Sequence, residues 1–210
     1  MTAPDDWAVR AEQQVLDEAL TLIPARGWSR TMTLAAGKAA GLSAGECDLL
    51  LPNGPRDLAA LLSRRHDAAA LAALPDPAAL KIRERIRAAV VARLDAAQAD
   101  REAVRRWAGF LALPTNLPLA LRLVWDSADG LWRWAGDTAT DENHYSKRAI
   151  LAGILISTLA LDLQAGRAAA LEALDARIQN VMDFEKWKAG FKPADLAKEL
   201  VGALARVRYG

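Results

Sequence analysis

Apolar residues return at every third or fourth position almost throughout this chain, and that periodicity decides what it can fold into. Leu121, Trp125, Ala128, Trp132 and Ala135 line up as one apolar stripe on a helix that turns about 100° per residue. Val15, Leu16, Ala19, Leu20 and Ile23 repeat the pattern near the start. Alanine and leucine dominate, β-branched residues are sparse, and no segment gives a strand signal. The fold class is therefore all-α. At 210 residues, 52% hydrophobic and 25% charged, the chain can bury a sizeable core. Its segments divide as 1–55, 56–190 and 191–210.

Punctuation residues place the first elements. A helix over residues 5–25 ends at Gly27, a second covers 33–40, and Gly41-Leu42 makes a tight turn. Ser43 caps a third short helix running to Leu51, and Pro52-Asn53-Gly54-Pro55 forces a turn before the next helix near Arg56. The phrase Thr33-Leu-Ala-Ala-Gly-Lys-Ala-Ala-Gly-Leu-Ser43, followed by Leu49-Leu50-Leu51-Pro52-Asn53 and Arg56-Asp57-Leu58, resembles the N-terminal helix-turn-helix domain of TetR-type regulators. That resemblance implies a TetR-like helical bundle.

Charge tests whether such an element reads DNA. A recognition helix enters a groove lined by phosphates, and its affinity comes largely from Lys and Arg. Here the helix reads Ser-Ala-Gly-Glu-Cys-Asp-Leu-Leu, with Glu46 and Asp48 and no basic residue. Over residues 1–55 four basic side chains face seven acidic ones, a net charge of −3. The expectation is a degenerate helix-turn-helix with no nucleic-acid partner. Over the whole chain the net charge is +1, which points neither to nucleic acid nor to an acidic substrate.

Further along, residues 56–74 read as a helix with Leu58, Leu61 and Leu62 and the cluster Arg64-Arg65-His66. Residues 78–97 alternate Lys81, Arg83, Glu84, Arg85 and Arg87 with Leu80, Ile82, Ile86, Val90 and Leu94, an amphipathic helix with a solvated charged face. Residues 101–113 place Val104, Trp107, Ala108 and Leu111 inward. The stretch 125–147 then holds three of the seven tryptophans. Arg122, Asp126, Asp129 and Arg133 form its charged face, and Trp134 lies between the two faces. Gly136 closes this helix, and Asp141 is placed to cap the next, which carries Asn143, His144, Tyr145, Lys147 and Arg148 in its first turns. The apolar run 149–161 follows, flanked by Arg148 and Asp162. It is shorter than the roughly 20 residues a bilayer needs and reads as a central core helix.

A helix over 167–188 leads into a break at residues 183–193. Pro193 opens a last helix whose stripe Leu196, Leu200, Leu204 and Val207 lies opposite Lys198, Gly202 and Arg206. Such a C-terminal amphipathic helix either docks on the body or lies at a membrane interface. Trp187 and Phe191 beside Lys186, Lys188 and Lys192 extend the candidate membrane-binding segment.

No catalytic or metal-ligating constellation emerges. His66 and His144 sit in different helices without the three or four ligands that a metal site needs. Cys47 is the lone cysteine, in an acidic neighbourhood that raises a thiol pKa. No cofactor is expected. The N-terminus lacks the basic and apolar regions of a signal peptide.

The stretch Trp132-Arg-Trp-Ala-Gly-Asp-Thr-Ala-Thr-Asp-Glu-Asn-His-Tyr-Ser-Lys-Arg-Ala-Ile-Leu-Ala152 resembles the signature of the Coq-nine family of ubiquinone-biosynthesis accessory proteins. Gly27-Trp28 at the front and Gly190-Phe191-Lys192 with Leu200 and Gly202 at the end extend the resemblance. It implies a TetR-like all-α fold, a homodimer, a lipid-binding C-terminal part, and support of the membrane-bound di-iron demethoxyubiquinone hydroxylase. Asp137, Asp141, Tyr145 and Arg148 match the family's partner-facing patch, and Trp134 and His144 cluster with them. One departure is His144, where many members have Trp. A mitochondrial targeting segment is missing, so the expected location is the bacterial cytoplasm, peripheral to the inner face of the membrane.

Three functions compete. A lipid-presenting accessory protein predicts an apolar cavity, lined on facing stripes by Trp107, Phe110, Leu121, Trp125, Leu151, Leu155 and Leu159. A ligand-responsive TetR-type repressor predicts operator binding, and an enzyme predicts turnover. The acidic recognition helix disfavours the second, and the missing catalytic constellation disfavours the third.

Overall fold

The computed structural model describes residues 4–138 and 142–190, with side chains described for 7–138 and 144–181. Among these residues there are nine α-helices and no strand. The helices are α1 (Pro4–Arg26), α2 (Arg30–Ala39), α3 (Ala44–Leu50), α4 (Pro55–Ala73), α5 (Ile82–Gln98), α6 (Arg101–Leu111), α7 (Leu117–Trp134), α8 (Glu142–Ala165) and α9 (Arg167–Gly190). The last helix of the sequence reading, with Phe191, Leu196, Leu200, Leu204 and Val207, lies outside the described residues. So do Asp141 and the side chain of Trp187.

Local chemistry explains the front of the chain. Ser29 caps α2 by accepting a hydrogen bond from the Met32 amide, and Ser43 caps α3 in a reciprocal box with Glu46. Where α2 crosses α3, a Cβ on Gly37 would stand 2.6 Å from the Cys47 sulfur, so only glycine fits there. Burial and the Asp48 charge push the Cys47 thiol pKa up. The carboxylates of α3 are both engaged, Glu46 on its own cap and Asp48 with Arg30 at 2.7 Å.

Two apolar clusters fill the body. Val15, Leu16, Ala19 and Ile23 of α1 pack with Met32, Cys47, Leu58, Leu62 and Val104, so α1 to α4 close their core together with α6. Ile86, Val90 and Leu94 of α5 pack with Ala128 and Leu131 of α7, Leu151 and Leu155 of α8, and Leu174 and Ile178 of α9. Leu159 borders both clusters.

Several elements depart from the sequence reading. The helix expected over 78–97 is broken: Pro77–Ala79 forms a 3-10 turn, and α5 starts only at Ile82. Asp76 captures the Ala78 amide and Glu84 captures that of Lys81, which gives the chain two separate starts. The break expected from residue 183 is absent, and α9 runs on to Gly190. On α7 the buried face is Leu123, Ser127, Ala128, Leu131 and Ala135, rotated away from the expected stripe, because α7 packs against α4 and α8 together. Leu121 is consequently exposed.

The apolar run 149–161 belongs to a longer apolar stretch. His144–Ala165 is the one helical segment among the described residues that is long and apolar enough to cross a membrane by itself. Ser157 donates to the Gly153 carbonyl of its own helix, which lets polar residues continue the apolar segment. In the fold Leu151, Ala152, Ile154 and Leu155 are buried, whereas Ile150 and Ile156 are exposed. Arg148 and Asp162, which flank the run, are both buried and ion-paired.

Candidate functional site

An apolar cavity of about 410 Å³ opens between α4, α5, α6, α7 and α8. Trp107 and Leu111 of α6, Leu121 and Val124 of α7, and Leu155, Ile156 and Leu159 of α8 form most of its wall. The Trp107 indole N–H donates to the Ala59 carbonyl at 3.0 Å, so the ring is anchored at its polar edge. Leu117, Leu121 and Ile156 are all about half exposed and form the mouth.

Of the seven side chains expected to line such a cavity, Trp107, Leu121, Leu155 and Leu159 do so. Phe110, Trp125 and Leu151 do not. Phe110, in the last turn of α6, stacks on Trp28 with ring centroids 6.0 Å apart and packs against the cluster of Ala59, Leu111 and Leu123. Leu151 is locked in the α5–α9 core. Trp125 faces Tyr145 at 6.2 Å, a result of the rotated α7 face.

Spacing arguments missed the cavity's polar end. Arg93, only 8% exposed, lies on the buried stripe of α5 between Val90 and Leu94, and its Nε donates to the Asp67 carboxylate at 2.6 Å. The Ser127 hydroxyl donates to the same carboxylate at 2.8 Å. Ser63, Arg93 and Ser127 all line the cavity. A charged residue on an apolar stripe was the available signal, and its partner on α4 was not readable from α5 alone.

A second constellation sits where α7 turns into α8. Arg148 is 2% exposed, and its guanidinium joins Asp129 at 2.6 Å and Asp137 at 2.9 Å. Lys147 pairs with Asp137 at 2.6 Å and lies over the Trp132 ring. Burial alone would raise the Asp137 pKa, but the bonds from Lys147 and Arg148 outweigh it and hold the carboxyl below its usual range. The Trp132 indole donates to the Lys147 carbonyl, so α7 and α8 are clasped from both sides. Gly136, at φ +89°, lets the chain turn while the Arg85 guanidinium reaches the Ala135 carbonyl at 2.7 Å.

Within the expected patch, the side chains of Asp137 and Arg148 turn inward, each the other's counter-ion. Trp134 is half-buried, with its indole N–H donating to the Pro75 carbonyl. Tyr145 is the exposed member, at 64%, flanked by His144 edge-on at 5.1 Å and by Trp125.

The family model described as COQ9 matches residues 117–185, which carry α7, α8, the clasp between them and one wall of the cavity. Over that segment the chain is similar to the COQ9 family. It is 28% identical over 165 residues to "Ubiquinone biosynthesis protein COQ9-B, mitochondrial" of Xenopus laevis, covering 73% of this chain and 55% of that protein. With "Ubiquinone biosynthesis protein COQ9, mitochondrial" of Homo sapiens it shares 28% over 155 residues, covering 70% of this chain and 49% of the relative. The chain thus spans about half the length of the curated relatives it matches. Within the COQ9 match, the Arg148 clasp supplies a physical reason for the Ala-Gly-Asp and Tyr-Ser-Lys-Arg runs of this chain. Gly136 makes the turn, Asp137 is buried in it, and Lys147 and Arg148 neutralise that charge.

Proposed function

We propose that this chain is a COQ9-family, non-catalytic accessory protein of ubiquinone biosynthesis. In this reading it takes an isoprenoid quinone precursor or another lipid into the cavity between α4 and α8, and it supports the di-iron demethoxyubiquinone hydroxylase. The observation that carries the reading is the cavity itself: about 410 Å³, walled by Trp107, Leu155 and Leu159, and built partly on the segment that matches the family. A volume of that size suits a small amphipathic ligand. Tyr145, with His144 and Trp125 beside it, forms the docking corner, with Trp134 at the end of α7 as a further candidate, and Arg148 positions the corner through its bond to the His144 carbonyl. Aromatic side chains of this kind carry disproportionate interface energy.

The TetR-like bundle, a homodimeric state and a peripheral membrane location at the inner face belong to the same proposal, as does membrane contact by the segment from Trp187 to Val207. A repressor role is not favoured, since α3 offers no basic side chain and its Glu46 and Asp48 are committed to a cap and an ion pair. The deciding experiment is native mass spectrometry with lipid extraction on protein purified from its own host. The expected outcome is a stoichiometric isoprenoid or phospholipid adduct, and protein that carries no lipid would overturn the reading.

A further inference from the structure

The cavity has two unlike ends. Leu117, Leu121 and Ile156 at the mouth are half exposed, whereas Ser63, Arg93 and Ser127 at the far end are less than one-tenth exposed. A buried guanidinium is costly unless it is paired, and its Nε is paired with Asp67 at 2.6 Å. Among the described residues no hydrogen bond engages its two terminal nitrogens, although Arg93 lines the cavity. An apolar chamber that ends on fixed, unused donors recognises an acceptor oxygen.

We infer that Arg93, held by Asp67, which Ser127 braces in turn, binds the oxygen-bearing head of the ligand inside the cavity, with the tail leaving between Leu117, Leu121 and Ile156. This rests on the lipid-cavity reading above and adds a head group and an orientation to it. The charge of the end wall selects the head. Asp67 neutralises Arg93 and also accepts from Ser127 at 2.8 Å, so an anionic head would meet a carboxylate beside the guanidinium. A neutral carbonyl, such as a quinone oxygen, accepts from the guanidinium without that repulsion. A tail longer than the cavity finds an apolar exit at the mouth, whereas a polar head there would sit among leucine and isoleucine side chains.

Calorimetric titration of the full chain with decyl-benzoquinone, decylbenzene and decanoate tests this. The parent protein should bind the quinone about tenfold or more tightly than decylbenzene, the worth of one hydrogen bond to a charged group. It should bind decanoate more weakly than the quinone. The paired variant Asp67→Asn with Arg93→Gln should hold decylbenzene as the parent does and lose the preference for the quinone. Equal binding of quinone and decylbenzene by the parent overturns the head-group site and leaves the cavity reading standing. Tighter binding of decanoate overturns the neutral-head assignment, and failure of all three ligands to bind overturns both. The three-ligand comparison on the parent decides the matter even where the paired variant does not fold.

Discussion

Arg148 and Asp137 lie 11 residues apart in sequence and 2.9 Å apart in space, and both are almost closed to solvent. Removing the cation would leave Asp137 with Lys147 alone and Asp129 with the exposed Arg133 alone, and would empty a buried site between them. Arg148→Ala should therefore destabilise the fold by about 3–5 kcal/mol in urea denaturation. Arg148→Lys should recover only part of that, because an ammonium cannot fork between two carboxylates. A loss well under 1 kcal/mol for Arg148→Ala would show that the clasp contributes little.

The same pair sets an acid limit. The folded-state pKa of Asp137 lies below its ordinary value of 3.8, so the stability it contributes is fully present above that value. That contribution is lost as the pH falls through the depressed folded value. Asp137→Asn should lower stability at neutral pH and flatten the acid limb of the stability profile below about pH 4.

His66 titrates against a different background. Burial, and then the Arg93 charge, lower its pKa from 6.5, against the opposing bond from Asp100 at 2.9 Å. The unfolded chain then takes up the proton first, and stability falls as the pH drops from 6.5 toward the folded value. The slope is at most about 1.4 kcal/mol per pH unit. Urea midpoints at pH 5.5 and 7.5 should lie closer together in His66→Gln than in the parent.

Tyr145 is exposed and outside the ion-pair clasp. Tyr145→Ala should leave the circular dichroism and melting of the protein nearly unchanged. If the docking corner is the hydroxylase contact, the substitution should weaken that complex by about tenfold or more. Unaltered binding in a calorimetric titration would remove the assignment of this corner.

Leu159 borders the cavity and both core clusters. Leu159→Trp should occupy the chamber, cost about 1–3 kcal/mol through overpacking, and abolish co-purified lipid in native mass spectra. Lipid retained at parental levels would place its site elsewhere.

The all-α class and most helix bounds were legible because they follow from local rules of period, cap and breaker, as at Ser43 and Gly136. Side-chain burial was less legible. Trp125 and Leu121 lie on the most apolar stripe of α7, yet contacts to α4 and α8 rotate that helix so that Ser127 is buried in their place. Arg148 read as a surface cation on its own helix, and only the fold brings Asp129 and Asp137 to it from α7 and its turn. Pair partners from separate elements leave no periodic trace, and the polar end of the cavity escaped the sequence reading for the same reason.

Helix α5 carries Arg85 and Arg93 eight residues apart, about 12 Å along one rigid rod. Arg85 grips the Ala135 carbonyl at the end of α7, and Arg93 closes the chamber. One straight element thus touches both the chamber wall and the turn that opens at Ala135, and the length of α5 sets the spacing between them.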